Sequence, residues 1–308
     1  MTIPRRGFLK TGLLAAGGVA AGAVGVERLG RGAAARAGVR TSATLALTAD
    51  GDLIVTSSTD QVHSGPTSDA RRGVAGRHWL MVIDLAACDG CGQCAASCAR
   101  SHFIPPDREY LRIFKMQDSP DTAPYWLPRP CFHCDNPPCT RVCPVGATFK
   151  RDDGIVLIDN ERCIGCRFCM AACPYSARVF NWTRPNDPPE AVARGYSPEW
   201  GYPRRVGTAE KCDFCADMAV QGKLPHCATS CPMGAIWFGD ENDDAVTNSY
   251  GKTMRLSKLL RDRAGFRYME ELGTKPRVYY LPASNRQYPA PNEPGANPGN
   301  HSRAADQR

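Results

Sequence analysis

Past its first 37 residues this sequence of 308 residues has no run of eighteen apolar residues, so no later segment is expected to cross a bilayer as a helix. Net charge is also scarce. The formal +7 is concentrated at the start, where Arg5, Arg6, Lys10, Arg28, Arg31 and Arg36 face the single acid Glu27 and leave about +2 for the remainder. So small an excess gives no basis for nucleic-acid binding. An apolar fraction of 43% and a charged fraction of 22% are those of a packed soluble protein, while 29 Gly and 25 Pro point to a loop-rich fold. Cysteine, with sixteen copies, is what the sequence has in abundance.

The cysteines fall into four groups of four. The first is Cys88, Cys91, Cys94 and Cys98, a C-x2-C-x2-C-x3-C run. The third, Cys163, Cys166, Cys169 and Cys173, has the same spacing and adds Pro174, which completes the bacterial ferredoxin run. The second, Cys131, Cys134, Cys139 and Cys143 with Pro144, and the fourth, Cys212, Cys215, Cys227 and Cys231 with Pro232, lengthen only the middle gap. A cluster wrapped by a short loop needs all its thiolates pointing inward, and a fixed C-x2-C start with a fixed C-x3-C end supplies that. A disulfide framework belongs to small secreted domains short of core, which this chain is not. Zinc accepts C-x2-C pairs but does not require the third and fourth cysteines at these spacings with a following proline. The reading is four 4Fe-4S clusters, with no group lacking a thiolate and hence no three-iron cluster. Each oxidised cluster with its four thiolates carries about −2, which takes the chain without its first 37 residues to roughly −6.

The first residues suggest where such a protein works. Arg5-Arg6-Gly7-Phe8-Leu9-Lys10 is a twin-arginine sequence followed by a weakly apolar stretch at 13–26 and small residues around Ala37. It reads as a Tat export signal, cleaved near Ala37, and implies a periplasmic protein. Export in the folded state fits the cysteines, because clusters are then inserted in a reducing compartment before the protein leaves it.

The pattern predicts an α+β fold. Residues 38–77 are expected to be a linker or a small hairpin, the hairpin at 44–55 and the linker at 57–77, with a four-cluster core over 78–240. Strands are expected at 79–85, 155–158, 177–182 and 235–238, the last two each following a fourth cysteine by a short helix. Asp152-Asp153-Gly154 marks a hairpin between the second and third motifs. Proline after the fourth cysteine suits the first turn of a helix, which would aim that cysteine away from its own loop. In two-cluster ferredoxins the fourth cysteine binds the other cluster. The expected sets are therefore Cys131, Cys134, Cys139 and Cys173, then Cys163, Cys166, Cys169 and Cys143, forming an inner unit at about 120–182. Around it, Cys88, Cys91, Cys94 and Cys231 pair with Cys212, Cys215, Cys227 and Cys98 in an outer unit at about 78–118 and 206–240. Motif one departs from the pattern in having Ala99 where proline is expected. Residues 252–272 read as a helix and 277–281 as a strand within a C-terminal segment at 241–282. Residues from 283 onward read as a disordered tail. His133 and His226, beside ligands, read as neighbours of the sites and not as ligands. The Pro-rich aromatic stretches at 119–130 and 183–205 read as shields for the clusters or as docking loops.

With the inner pair of motifs nested in the outer pair, Ile164-Gly165 in motif three and Lys211-Cys212-Asp213-Phe214-Cys215 in motif four, the chain resembles the four-cluster electron-transfer subunit of molybdopterin oxidoreductases, of the dimethyl sulfoxide, polysulfide and tetrathionate reductase type. Some relatives place tryptophan at one motif-three cysteine and hold a 3Fe-4S cluster, whereas Cys166 is present here. The resemblance implies a non-catalytic relay between a large molybdopterin-containing catalytic subunit and an integral membrane quinone-reactive subunit or cytochrome. A hydrogenase or formate dehydrogenase subunit, or a free ferredoxin-like carrier, is the alternative it leaves open.

Overall fold

The computed structural model describes residues 41–59, 70–117, 119 and 122–284; the twin-arginine segment with Arg5 and Arg6 and most of the tail lie outside the described residues. The chain opens with a hairpin of β1 (Thr41–Leu47) and β2 (Leu53–Thr59), closed at Gly51, whose φ of +86° is a conformation that glycine adopts without strain. This hairpin leans on the body through the Ala49 N–H, which donates to the Thr253 carbonyl (2.9 Å), and through Lys258 Nζ, 3.0 Å from Asp50.

The next strand, β3 (Trp79–Asp84), is buried along its whole length, as a strand covered on both faces must be. Later strands assemble around it. β4 (Arg112–Met116) and β5 (Tyr125–Arg129) form a hairpin, as do β6 (Thr148–Lys150) and β7 (Val156–Ile158), and β8 (Val179–Phe180) pairs with β9 (Ala209–Glu210). β10 (Ile236–Asp240), β11 (Ala245–Asn248), β12 (Thr253–Arg255), β13 (Phe266–Arg267) and β14 (Val278–Leu281) join β3 in a six-stranded sheet of order β12-β11-β10-β3-β14-β13. β10 runs antiparallel to β3 and β14 parallel to it.

Side chains alternate along the central strands, and the two faces have different tasks. Trp79, Met81 and Ile83 pack with Phe132, Phe238 and Tyr280 towards the cysteine loops. Leu80 and Val82 turn the other way, with Trp237 and Leu281, onto Leu256 and Leu259 of the helix Leu256–Asp262. Full burial of such side chains contributes about 1.5–3 kcal/mol each, so the sheet is the apolar body on which the polar loops are hung.

Three expectations are corrected. The proline after the fourth cysteine does not start a helix. Cys139, Cys169 and Cys227 each lie within a four-residue helix (Pro138–Arg141, Phe168–Ala171, His226–Thr229), and the fourth cysteine follows its end. Pro144, Pro174 and Pro232 then sit in turns, closed by the N–H of Gly146, Ser176 and Gly234 donating to the carbonyl three residues back (3.3 Å each). Proline's fixed φ suits the second position of a turn as well as a helix start. Correspondingly, no short helix stands between Cys173 and β8 or between Cys231 and β10. In motif one, with Ala99 in place of proline, the helix runs on from Gln93 to Ser101 and carries both Cys94 and Cys98. The expected helix at 252–272 is also broken, into β12, the helix Leu256–Asp262, β13 and a 3-10 turn at Glu270–Leu272, with the left-handed residues Ala264 (φ +50°) and Met269 (φ +53°) at the breaks. Finally, 57–77 is not all linker. Strand β2 reaches Thr59, Ala70 and Val74 are buried, and buried Arg77 lies 2.9 Å from Asp240.

Candidate metal centres

The fold gathers the sixteen cysteines into four sets. Cys88, Cys91, Cys94 and Cys231 line one cavity, between the first cysteine loop and the turn after motif four. Gly90 (φ +74°) makes the loop possible, and it lies so close to Trp126 of β5 that a Cβ there would stand 2.4 Å from the indole. The Ala235 N–H donates to Cys231 Sγ (3.4 Å) and the Cys91 N–H to Asp89 Oδ1 (3.0 Å). Burial pushes the Cys94 thiol up to about 12 and Cys91 up to about 11, with Cys231 adding to both.

The second set is the most deeply buried. Burial drives the thiols of Cys98, Cys215 and Cys227 well above the ordinary range, and their neighbours in the set raise them further. Cys212 is pushed up to about 12 by burial and then by Asp213. His102 stands beside this set with Nε2 3.2 Å from Cys215 Sγ. Its Nδ1 makes no hydrogen bond and has Asp213 Oδ2 at 3.3 Å, while Asp213 Oδ1 accepts the Cys215 N–H (2.8 Å).

The third set, Cys131, Cys134, Cys139 and Cys173, lines a cavity with Phe132, Tyr175 and Arg178. The fourth, Cys143, Cys163, Cys166 and Cys169, lines another with Thr148 and Ala209. There Gly165 (φ +73°) comes so close to the opposite chain that a Cβ would meet the Gly207 carbonyl oxygen at 2.2 Å. Cys143 differs from the buried thiols. Burial pushes it up, but hydrogen bonds from the backbone N–H groups of Thr148, Val145 and Ala147 outweigh that and hold it below the ordinary value.

Successive sets are neighbours. Cys94 lies within electrostatic reach of Cys227, Cys212 within reach of Cys131, and Cys169 within reach of Cys139. Between the second and third sets His133 is held by both nitrogens. Nδ1 accepts the Val156 N–H (3.0 Å), so Nε2 carries the proton and donates to the Cys212 carbonyl (3.0 Å). That leaves it no lone pair for a metal. Burial, followed by the charge of Lys211, holds it well below the ordinary histidine value, which keeps it neutral. His226 is half-buried and packs edge-on against His102, ring centroids 5.9 Å apart.

Among the aromatics of the two insertions Tyr202 is buried, while Tyr125, Trp126, Tyr196 and Trp200 are partly buried. Trp126 covers the first loop, and Tyr202 is buried against Phe103 and receives a hydrogen bond from Arg194 (2.7 Å). Buried Arg204 binds Glu210 (3.1 Å), Asp187 (2.8 Å) and the carbonyls of His102 and Phe103, fastening this insertion to the end of the first-motif helix. Neither Arg204 nor Arg178 carries a signal in the sequence: Arg178 meets Thr148, and Arg204 the carbonyls of His102 and Phe103, only once separate segments of the chain come together.

Four-thiol sets with backbone N–H groups aimed at sulfur and cavities between them suit iron-sulfur clusters. A 4Fe-4S dicluster domain family matches residues 122–186 and 201–241, and a second family of the same description matches 87–147. A selenate reductase subunit of Mesobacillus selenatarsenatis is 39% identical over 216 residues, covering 66% of this chain and 71% of that protein. A tetrathionate reductase subunit of Salmonella typhimurium is 38% identical over 222 residues, 70% and 77% of the two chains. The menaquinone reductase iron-sulfur cluster-binding subunit of Nitratidesulfovibrio vulgaris is 37% identical over 234 residues, 66% and 88%. With its mixed helices and strands and its ferredoxin-type dicluster domains, the chain belongs to the family of iron-sulfur electron-transfer subunits of molybdopterin-oxidoreductase type that serve such reductase complexes.

Proposed function

We propose that this chain relays electrons through four 4Fe-4S clusters between a large molybdopterin-containing catalytic subunit and a quinone-linked membrane partner. The observation that carries the reading is the convergence of sixteen cysteines into four complete sets, each next to another. In each set a fourth cysteine comes from another motif, which favours two nested ferredoxin-like units, the outer one holding the first two sets and the inner one the last two. Bound clusters would supply one-electron chemistry. The protein's part is to hold the thiolates, exclude water and set local charge, and the chain itself is non-catalytic.

Surface character supports assembly with partners. Leu45, Leu47, Leu53 and Val55 are exposed together on the β1–β2 hairpin, and Ile164, Phe168 and Trp182 are exposed around the fourth set. Among the described residues no helix is long and apolar enough to cross a membrane. Export by the Tat machinery to the periplasm, directed by Arg5 and Arg6, is part of the proposal. Replacing both arginines with lysine is expected to leave cluster-loaded protein in the cytoplasm, and normal export would contradict it.

The direct test is iron and acid-labile sulfide on the purified chain, with about sixteen of each expected for four 4Fe-4S clusters. An equivalent amount of zinc would overturn the reading. Tagged purification that brings down a pterin-containing subunit separates a bound relay from a free carrier.

A further inference from the structure

Arg178, in the inner unit, is a buried cation that its protein partners leave without a counter-charge. The residue is only 5% exposed, yet among the described residues no carboxylate lies within ion-pair distance of its guanidinium. Nη1 donates to Thr148 Oγ1 (3.3 Å), and Nη2 makes no hydrogen bond. Every other buried arginine at the heart of this molecule is matched by acids: Arg151 by Asp153 and Glu199, Arg204 by Asp187 and Glu210, and Arg277 by Asp135 and Glu241. A buried cation without an anion is strongly destabilising, so the fold must supply one.

The position of Arg178 says what that anion is. The side chain lines the cavity of Cys131, Cys134, Cys139 and Cys173. Its acceptor Thr148 belongs to the wall of the neighbouring cavity, where the Thr148 N–H donates to Cys143 Sγ (3.4 Å). Arg178 therefore stands between the two inner sites and touches the wall of each. We propose that Arg178 is an electrostatic residue shared by the two inner clusters, its guanidinium offsetting their negative charge and raising the reduction potential of both.

The assignment rests on the four-cluster reading above. An oxidised cluster with four thiolates carries about −2, and one electron takes it to about −3 with no bond broken and no proton required, so a fixed cation nearby favours the reduced form. Although burial works against the charge of Arg178, the nearby thiols of Cys139, Cys169 and Cys131 more than offset it and favour the charged form. The outer unit has mixed charges: buried Lys211, whose Nζ donates to the Cys212 carbonyl (2.7 Å), works to lower the Cys212 thiol, against carboxylates. Asp89 and Asp213 stand next to ligand cysteines, and both raise the pKa of thiols there.

The test is an EPR-monitored redox titration of the full chain in its complex, comparing wild type, Arg178→Gln and Arg178→Lys at equal iron content. In Arg178→Gln the two inner clusters are expected to lose about tenfold in their reduction equilibrium, a fall of about 59 mV for one electron. The outer two should move far less, and Arg178→Lys should restore most of the loss. Unmoved inner potentials in Arg178→Gln, or equal shifts at all four clusters, would overturn the assignment. If Arg178→Gln loses iron from the inner sites, retention in Arg178→Lys supports the need for charge and loss from both variants overturns it. The four-cluster reading fails separately, through a wild-type iron and sulfide count short of four clusters.

Discussion

The outer and inner cysteine pairs are built from the same ligand spacing, but the surrounding chain treats them differently. The outer sets sit against the six-stranded sheet, share the nine-residue helix Gln93–Ser101 and have the carboxylates of Asp89 and Asp213 accepting the backbone N–H of Cys91 and Cys215. The inner sets are joined by the short β6–β7 hairpin and have a buried arginine between them. Ligand spacing thus determines which metal group is held, while the flanking chain decides how rigidly it is held and how readily it accepts an electron.

The largest effects should come from the glycines that let the loops close, one in each pair. Gly90→Val would drive a side chain into Trp126, and Gly165→Val would drive one into the Gly207 carbonyl, both at left-handed φ. If the chain holds four 4Fe-4S clusters as proposed, each is expected to remove one and leave three, lowering iron and sulfide from about sixteen to about twelve. Loss of all four from either variant would show that the two pairs are not separate units.

Next in size is the clamp on the outer pair. Arg204→Met leaves Glu210 and Asp187 buried without their cation and should cost about 3–5 kcal/mol by denaturant titration. By contrast, Arg261→Ala, at an exposed pair with Asp262, should change stability by no more than about 1 kcal/mol. Equal effects would mean that burial does not distinguish these pairs.

Smaller, and sharper, is the pH dependence of cluster assembly on stripped protein. Iron takes the thiolate, so a thiol whose pKa is raised must release a proton on binding, and its affinity falls as pH drops below that pKa. Cys212, Cys94 and Cys134 are pushed up to about 12, whereas Cys143 is held below the ordinary value. Reconstitution at pH 7 should therefore favour the Cys143 set over the Cys212 set, with the gap narrowing towards pH 9. Filling that is independent of pH would contradict the assignment of these burial effects.

Much of this was legible in the sequence because the information is local. Cysteine spacing, the Asp152-Asp153-Gly154 turn and the strand into motif one each reside in a few neighbouring residues. The six-stranded sheet was not legible, since β14 joins β3 from nearly two hundred residues away. Proline misled for a definite reason: one φ value serves both a turn and a helix start, and only the three-residue hydrogen bonds after Cys143, Cys173 and Cys231 distinguish them. The segment at 252–272 looked helical by its basic spacing, but left-handed Ala264 and Met269 break it. Arg178 meets Thr148, and Arg204 the carbonyls of His102 and Phe103, only when separate chain segments close around them.

The central claim is that ligands are exchanged between motifs, and EPR of single cysteine variants addresses it most directly. Cys88→Ser and Cys231→Ser, 143 positions apart in the chain, line one cavity and should perturb the same cluster signal, while Cys98→Ser perturbs a different one. If Cys88→Ser and Cys231→Ser disturb different clusters, the arrangement described for this chain is wrong.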